Sequence, residues 1–423
     1  MKYWRGYLVA AILAAVSFGL IAFAKAHESL VDMIYPYMTR VFITTLAQWS
    51  GSVSYCIFTV LAAIVVVILV VTVILMLLLR WNFVQWLGWV LAVVFGLGTV
   101  HTITFGLNNY CGPLADDIHM EIIDYSVKEL NEATLYFRDK ALELAPKASR
   151  KANGDLDFGD FDKLAKEAGE GFRVLTYEDA LSVFAGSTVP VKKLGFANSM
   201  TSITVPLTGE SAVKSTLDDI GLPFTMCKEM AKRMCIAHEE DAQFAAFLAC
   251  KSNPSVDFQY SAYCAAYYYC HSALENLAAD TAKSYAAQAE TGLSARMKED
   301  LKDARGVFGK LVEADEGETD VADLLACWYV SEFIAVRDAE EEKPFNPLDK
   351  TQVDLNYKVP EYTPLPGSAD DKDKDKVPET TQPPTKPNTN ANPDDDAIPD
   401  SDENTPPSTD NEDDTVPTEP TVP

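Results

Sequence analysis

The stretch Leu222-Pro-Phe-Thr-Met-Cys-Lys-Glu-Met-Ala-Lys-Arg-Met-Cys-Ile-Ala-His-Glu-Glu-Asp-Ala-Gln-Phe-Ala-Ala-Phe-Leu-Ala-Cys250 decides how the rest of the chain is read. Lys228 and Lys232 stand four residues apart, so on a helix they share one face, with Glu229 beside the first. This is the spacing of the zinc motif His-Glu-x-x-His with lysine at both histidine positions. A metal takes lone pairs from its ligands, and an ammonium has donors only. The stretch keeps the layout of a metal centre without its two nitrogen ligands.

Around it the pattern is mainly α. Apolar positions Ile118, Ile122, Ile123, Leu130 and Leu135 alternate with charge between Pro113 and Ala148, which predicts a helix there. Further helices are predicted over Phe161–Ala168, Tyr177–Ala185, Gln259–Leu277, Asp280–Leu311 and Val321–Val336. Val189–Leu194 and Ser202–Leu207 are β-branched and alternating, so they are predicted as short strands, with Pro206 confining the second to an edge.

Toward the N-terminus the chain becomes apolar. Tyr7 to Ala24 follows Lys2 and Arg5, which predicts a first span with its N-terminus in the cytoplasm, a cleaved signal segment ending near Ala26 being the other reading. Val53 to Leu79 is 27 residues without a charge, against the roughly 20 needed to cross a bilayer core. A third span is predicted over Val84 to Leu107, with Trp86 and Trp89 at the interface. His101 within it has Thr99, Thr102 and Thr104 for neighbours and is expected to be a hydrogen-bonded packing residue. Between His27 and Ser52, Leu30, Met33, Ile34, Tyr37, Met38 and Val41 recur at helical spacing, so this loop is expected to be a helix lying along the outer surface or packed on the following domain.

Composition limits the partners. The formal charge is -27, and Val359 to Pro423 alone hold 17 Asp and Glu against 4 Lys. That acidity excludes nucleic acid, whose phosphates need clustered Lys and Arg. The same segment, rich in Pro, Thr and Asp, has too little apolar surface to offset its conformational entropy and is expected to be a disordered tail. It suits either threading into a cell wall or simple solvation. Eight cysteines without a CxxC pair are too few for a disulfide-built fold, and seven of them fall outside the predicted spans, so at least one is free or pairs between chains. The predicted layout is a first membrane segment (1–27), an outer loop (28–52), a membrane hairpin (53–107), a large extracytoplasmic domain (108–358) and the tail (359–423).

Tyr35-Pro36, Phe105-Gly-Leu-Asn-Asn-Tyr110, Val205-Pro-Leu-Thr-Gly-Glu210, Pro223-Phe-Thr225, Glu229, Glu239, Ala242, Phe244, Leu248-Ala-Cys250 and Tyr260-Ser261 carry a resemblance. In that order the chain resembles an uncharacterised family of three-pass bacterial membrane proteins. Members have an extracytoplasmic domain similar to zinc metallopeptidases, with His-Glu-x-x-His, a glycine three residues on and a Glu-x-Glu-Ala-Asn-Phe run. The resemblance implies a zincin-like domain, with metal-ligand positions at Lys228, Lys232 and Glu239, the catalytic base position at Glu229, and supporting positions at Asp241 and Gln243. The implied glycine is Cys235. Zinc, expected in the family, is predicted lost here.

Two ammoniums and the carboxylates of Glu229 and Glu239 sum to zero charge, as a zinc ion, two imidazoles and two carboxylates do. Lys228 and Lys232 are therefore expected to stand in for the metal as an ion-pair cluster, since buried charges persist only when paired. His238, next to Glu239, is a candidate substitute ligand, but no pair among His119, His238 and His271 sits at ligand spacing, so each is expected to be structural or exposed. The functions this allows are an inactive metallopeptidase-like protein in the cell membrane that binds an extracytoplasmic peptide or envelope protein, a hydrolase with an atypical centre on Glu229 and Glu239, or a linker from membrane to wall. The tyrosines at 260, 263, 267, 268 and 269 are helix-spaced and expected in the core.

Overall fold

The computed structural model describes residues 4–195, 200–302, 304–309, 311–314 and 317–341. The acidic tail at 359–423 lies outside the described residues. The described chain is mainly helical, with a small three-stranded sheet.

Three helices are long and apolar enough to cross a membrane: α1 (Arg5–Ala26), α3 (Ile57–Leu78) and α4 (Phe83–Thr104). Each falls on a stretch predicted to span. Helices α1 and α4 pack side by side and run parallel, since Gly6 meets Gly88, Leu13 meets Gly96 and Ser17 donates to Thr99 at 2.9 Å. At the first crossing a Cβ on Gly6 would lie 2.5 Å from the Gly88 carbonyl carbon, so glycine lets the two backbones touch. Helix α3 behaves differently. It has no buried residue, and its β-branched side chains face outward all round.

The expectation for His101 is corrected. It is exposed, edge-on to the Phe105 ring, while Thr99, Thr102 and Thr104 bond back to the carbonyls of Phe95, Gly98 and Val100. Hydroxyls inside a helix satisfy themselves on the preceding turn, so the three threonines are bonded without the imidazole.

Helix α2 (Glu28–Gly51) follows α1 after a single residue, His27. Val31, Thr39, Ile43, Ala47 and Ser50 are buried on one face, and Arg40 donates to the carbonyls of Met234 and Ser182. Gly209 has φ +64°, and a Cβ there would stand 2.4 Å from the Ala47 nitrogen. Glycine at this turn is what lets α2 sit on the sheet.

The remaining body is built from α5 (Leu114–Asp117), α6 (Val127–Leu144), α7 (Phe161–Tyr177), β1 (Lys192–Lys193), β2 (Ser202–Val205), β3 (Glu210–Val213), α8 (Leu222–Arg233), α9 (Glu239–Lys251), α10 (Val256–Asn276), α11 (Asp280–Thr291), α12 (Ala295–Asp300), α13 (Ala304–Phe308), the hairpin β4 (Leu311–Ala314) and β5 (Gly317–Asp320), and α14 (Val321–Glu341). Strand order in the sheet is β1-β3-β2, with β1 parallel and β2 antiparallel to β3. The core is aromatic. Phe137, Phe244, Phe247, Tyr269 and Tyr329 come from α6, α9, α10 and α14, and the rings of Phe247 and Tyr329 meet edge to face at 5.1 Å.

Several predicted bounds change. The helix predicted from Pro113 to Ala148 breaks after Asp117, because His119 takes φ +55° and a capping box between Ser126 and Glu129 starts α6 afresh. Tyr177–Ala185 is not a helix: α7 runs through to Tyr177, Ala180 has φ +57°, and only Ser182–Phe184 makes a single 3-10 turn. Asp280–Leu311 is three helices, with Ser294 capping the second on the Met297 amide. The central strand β3 was not predicted. Among the described residues the eight cysteines form no disulfide.

Candidate functional site

Helix α8 begins with Pro223 in its first turn, where a missing N–H costs nothing. It ends in a Schellman closure, with Ile236 N bonded to Ala231 O at 3.3 Å and Cys235 N to Lys232 O at 3.1 Å. Such a closure needs a left-handed residue, and Cys235 has φ +74°. This gives the physical reason for glycine at that position in the pattern the chain resembles. Here the Sγ of Cys235 accepts instead from Thr39 of α2 at 3.3 Å.

The turn sends the chain back along α9, which brings Glu239 against α8. Lys232 Nζ lies 2.6 Å from Glu239 Oε2, and Lys228 Nζ lies 3.3 Å from Glu239 Oε1 and 3.9 Å from Glu229 Oε1. Gln243 donates to Glu239 Oε1 at 3.2 Å and accepts from the Tyr269 hydroxyl at 2.8 Å. Burial works against the Lys232 ammonium, but Glu229 and Glu239 outweigh it and raise its pKa above the ordinary lysine value. It is a cation at neutral pH and has no lone pair to offer a metal or a proton. The donor set at Lys228 and Lys232 therefore does not fit a zinc ion. Among the described residues no group of three or more His, Cys, Asp or Glu side chains is placed to hold a metal.

Glu229 is held by the sheet. Its carboxylate accepts from Ser202 Oγ at 2.7 Å and from Thr204 Oγ1 at 2.7 Å, and its backbone carbonyl accepts from Ser211 Oγ at 2.8 Å. Only about 2% of the residue is exposed. Ser202 and Ser211 are the site residues that sequence reasoning missed. The signal was there in Ser202-Ile203-Thr204-Val205, where alternation puts both hydroxyls on one face of a strand.

Of the predicted positions, the structure brings together Lys228, Glu229, Lys232, Glu239 and Gln243. Asp241 is engaged elsewhere, its Oδ2 accepting the Leu114 amide at 3.0 Å. His238 stands at the N-cap of α9 with its carbonyl accepting the Ala242 amide. Arg233, next to Lys232, is buried and donates to the carbonyls of Ser187 and Val189, and burial pushes its pKa down to about 10.

A cavity of about 270 Å³ opens over this group, lined by Phe105, Ser202, Ile203, Thr204, Glu229, Lys232 and Ala237. Strand β2 is an edge of the sheet and borders the cavity. Lys214 N bonds to Thr201 O at 2.8 Å, so by ladder alternation Ile203 and Val205 pair with β3 while the backbone groups of Ser202 and Thr204 point away from it. Phe105 is the residue at the C-cap of α4. The cavity thus joins an edge strand, an ion-pair cluster and the end of a membrane-spanning helix.

No curated protein and no solved structure matches the chain. Residues 31–324, from α2 to the start of α14, match the family described as protein of unknown function (DUF3810). The match covers well over half of the 423 residues and takes in both the ion-pair cluster and the sheet that holds Glu229. The chain belongs to that family.

Proposed function

We propose that this protein is a catalytically inactive, metallopeptidase-like membrane protein whose large domain is extracytoplasmic and works as a binding or scaffold module. The observation that carries the reading is the pairing of both lysines, at the histidine positions of the zinc motif, with Glu239. An ion that would polarise water has been replaced by two fixed ammoniums of matching charge, so the scaffold persists while the hydrolytic step has no metal to run on. Binding by strand addition needs no metal. The outward backbone groups of Ser202 and Thr204 suit an extended peptide of an envelope protein laid along β2, with the cavity taking one of its side chains. Placement outside the cytoplasm rests on Lys2 and Arg5 before the first span.

The test is zinc content and peptidase activity of the purified full chain, measured beside the Lys228→His, Lys232→His double variant. The expected result is no stoichiometric zinc and no hydrolysis in the natural protein, with zinc gained by the variant. Stoichiometric zinc in the natural protein would overturn the reading.

A further inference from the structure

Helix α2 has two faces of opposite character. The face turned to the body holds Thr39, Arg40, Ile43, Ala47 and Ser50, and it uses the helix's polar groups: Asp32 accepts the Gly112 amide at 3.0 Å, and Arg40 reaches the Met234 carbonyl at the end of α8. The opposite face exposes Met33, Ile34, Tyr37, Met38 and Val41, spaced three and four apart, with Trp49 eight residues beyond Val41 on the same side past the polar Thr45 and Gln48, and no charge stands among them. Met38 and Val41 are 67% and 69% exposed, far more than a monomer tolerates in a contiguous stripe unless something covers it.

We infer that this face of α2 is seated on the lipid of one membrane leaflet, so that the helix lies in the plane of the bilayer beneath the folded body. Three observations select lipid as the occupant. First, α1 ends one residue before α2, and α3 begins five residues after it, so both ends of α2 are tied to helices that enter the bilayer. The stripe follows directly on the exposed apolar side chains of α1 and α3 along the chain. Secondly, the body occupies the opposite face of α2, which leaves the stripe turned away from it. Thirdly, Tyr37 and Trp49 stand in the stripe, and such rings favour the headgroup boundary. At 1.5 Å per residue α2 is about 36 Å long, which separates the point where α1 leaves the bilayer from the point where α3 enters it. This accounts for α3 having no buried residue while α1 and α4 pack together.

The seating fixes the height of the cavity. Thr39 and Arg40 hold the end of α8 from the back of the same helix, and Phe105 ends α4, so the cavity opens near the headgroups. The inference about α2 does not depend on what the cavity binds.

The test uses the full chain in phosphatidylcholine and phosphatidylglycerol vesicles, with Cys111→Ser and Cys327→Ser to remove the half-buried thiols. A nitroxide is attached through Met33→Cys, Met38→Cys or Val41→Cys, with Tyr177→Cys, 81% exposed on the body, as control. Relaxation by oxygen, which partitions into lipid, is compared with relaxation by a water-soluble nickel chelate. The three α2 sites are expected to favour oxygen by several fold and the control to favour nickel. Nickel access at all three equal to that at Tyr177 would overturn the inference. So would shielding from both reagents with dipolar broadening between labelled chains, which would make a second copy the occupant.

Discussion

Lys232 Nζ and Glu239 Oε2 stand 2.6 Å apart, a contact that ties the last turn of α8 to the first residue of α9 across the Cys235 turn. The two side chains are 21% and 12% exposed, so the pair is shielded enough for removal of one partner to be costly. Lys232→Met is expected to lower stability by about 3 kcal/mol, in the range for breaking a buried pair, with Glu239 left to Lys228 and Gln243. Denaturant midpoints of the full chain in micelles measure it, and an unchanged midpoint would mean that the lysine is only a solvated residue.

The same pair sets a pH dependence. Because the folded pKa of Lys232 lies above its ordinary value of 10.5, the contribution is fully present below that pH and is lost as pH climbs through the raised folded value. The stability gap between the natural protein and Lys232→Met should therefore stay constant from neutral pH to about 10 and narrow above it. A gap that closed on acidification alone would point to the carboxylates.

Cys235 makes a second prediction. A non-glycine residue at φ +74° carries strain of about 1 kcal/mol. Cys235→Gly should raise the thermal midpoint by a few degrees, less whatever the Thr39 contact supplies, and Cys235→Val should lower it because β-branching is worst tolerated in this region. Thermal scans of the two variants with Thr39→Val separate strain from contact.

Glu210, at the start of β3, accepts the amides of Ile57 and Phe58 at 2.8 Å each and pairs with Lys192 at 2.6 Å. Its carboxylate sits at the N-terminus of α3, where the helix dipole favours a negative charge. Lys192 also donates to the carbonyls of Ser50 and Tyr55, so the two side chains together clasp the α2–α3 corner. Glu210→Ala is expected to cost about 3 kcal/mol, since it leaves Lys192 buried beside an uncapped helix. Adding Lys192→Met should recover part of that loss, and a double-mutant cycle reads the coupling.

The helices and spans were legible where one period ran unbroken. Val53 to Leu79 has no charge to interrupt it, and Lys228, Glu229 and Lys232 could be placed on one turn because nothing between Leu222 and Arg233 breaks a helix. Strand β3 was not legible. Its four residues, Glu210 to Val213, are all buried, so alternation is absent, and its leading carboxylate reads as part of the preceding turn until Ile57 and Lys192 are seen around it. The hairpin β4–β5 falls in the acidic stretch between the helices predicted over Asp280–Leu311 and Val321–Val336, which shows no alternation of apolar and polar residues. The partners of Glu210 are 153 residues away at Ile57 and 18 away at Lys192, and local pattern carries no record of them.

The cap on α3 has a consequence in time. Glu210 lies 153 residues beyond Ile57, so at 5 to 20 residues per second the ribosome delivers the cap roughly 8 to 30 s after the helix it closes. During that interval α3 is already free to enter the bilayer with its first amides open to the headgroup water. The contact between α3 and the sheet can therefore close only after both the hairpin and the strand that carries Glu210 have been made.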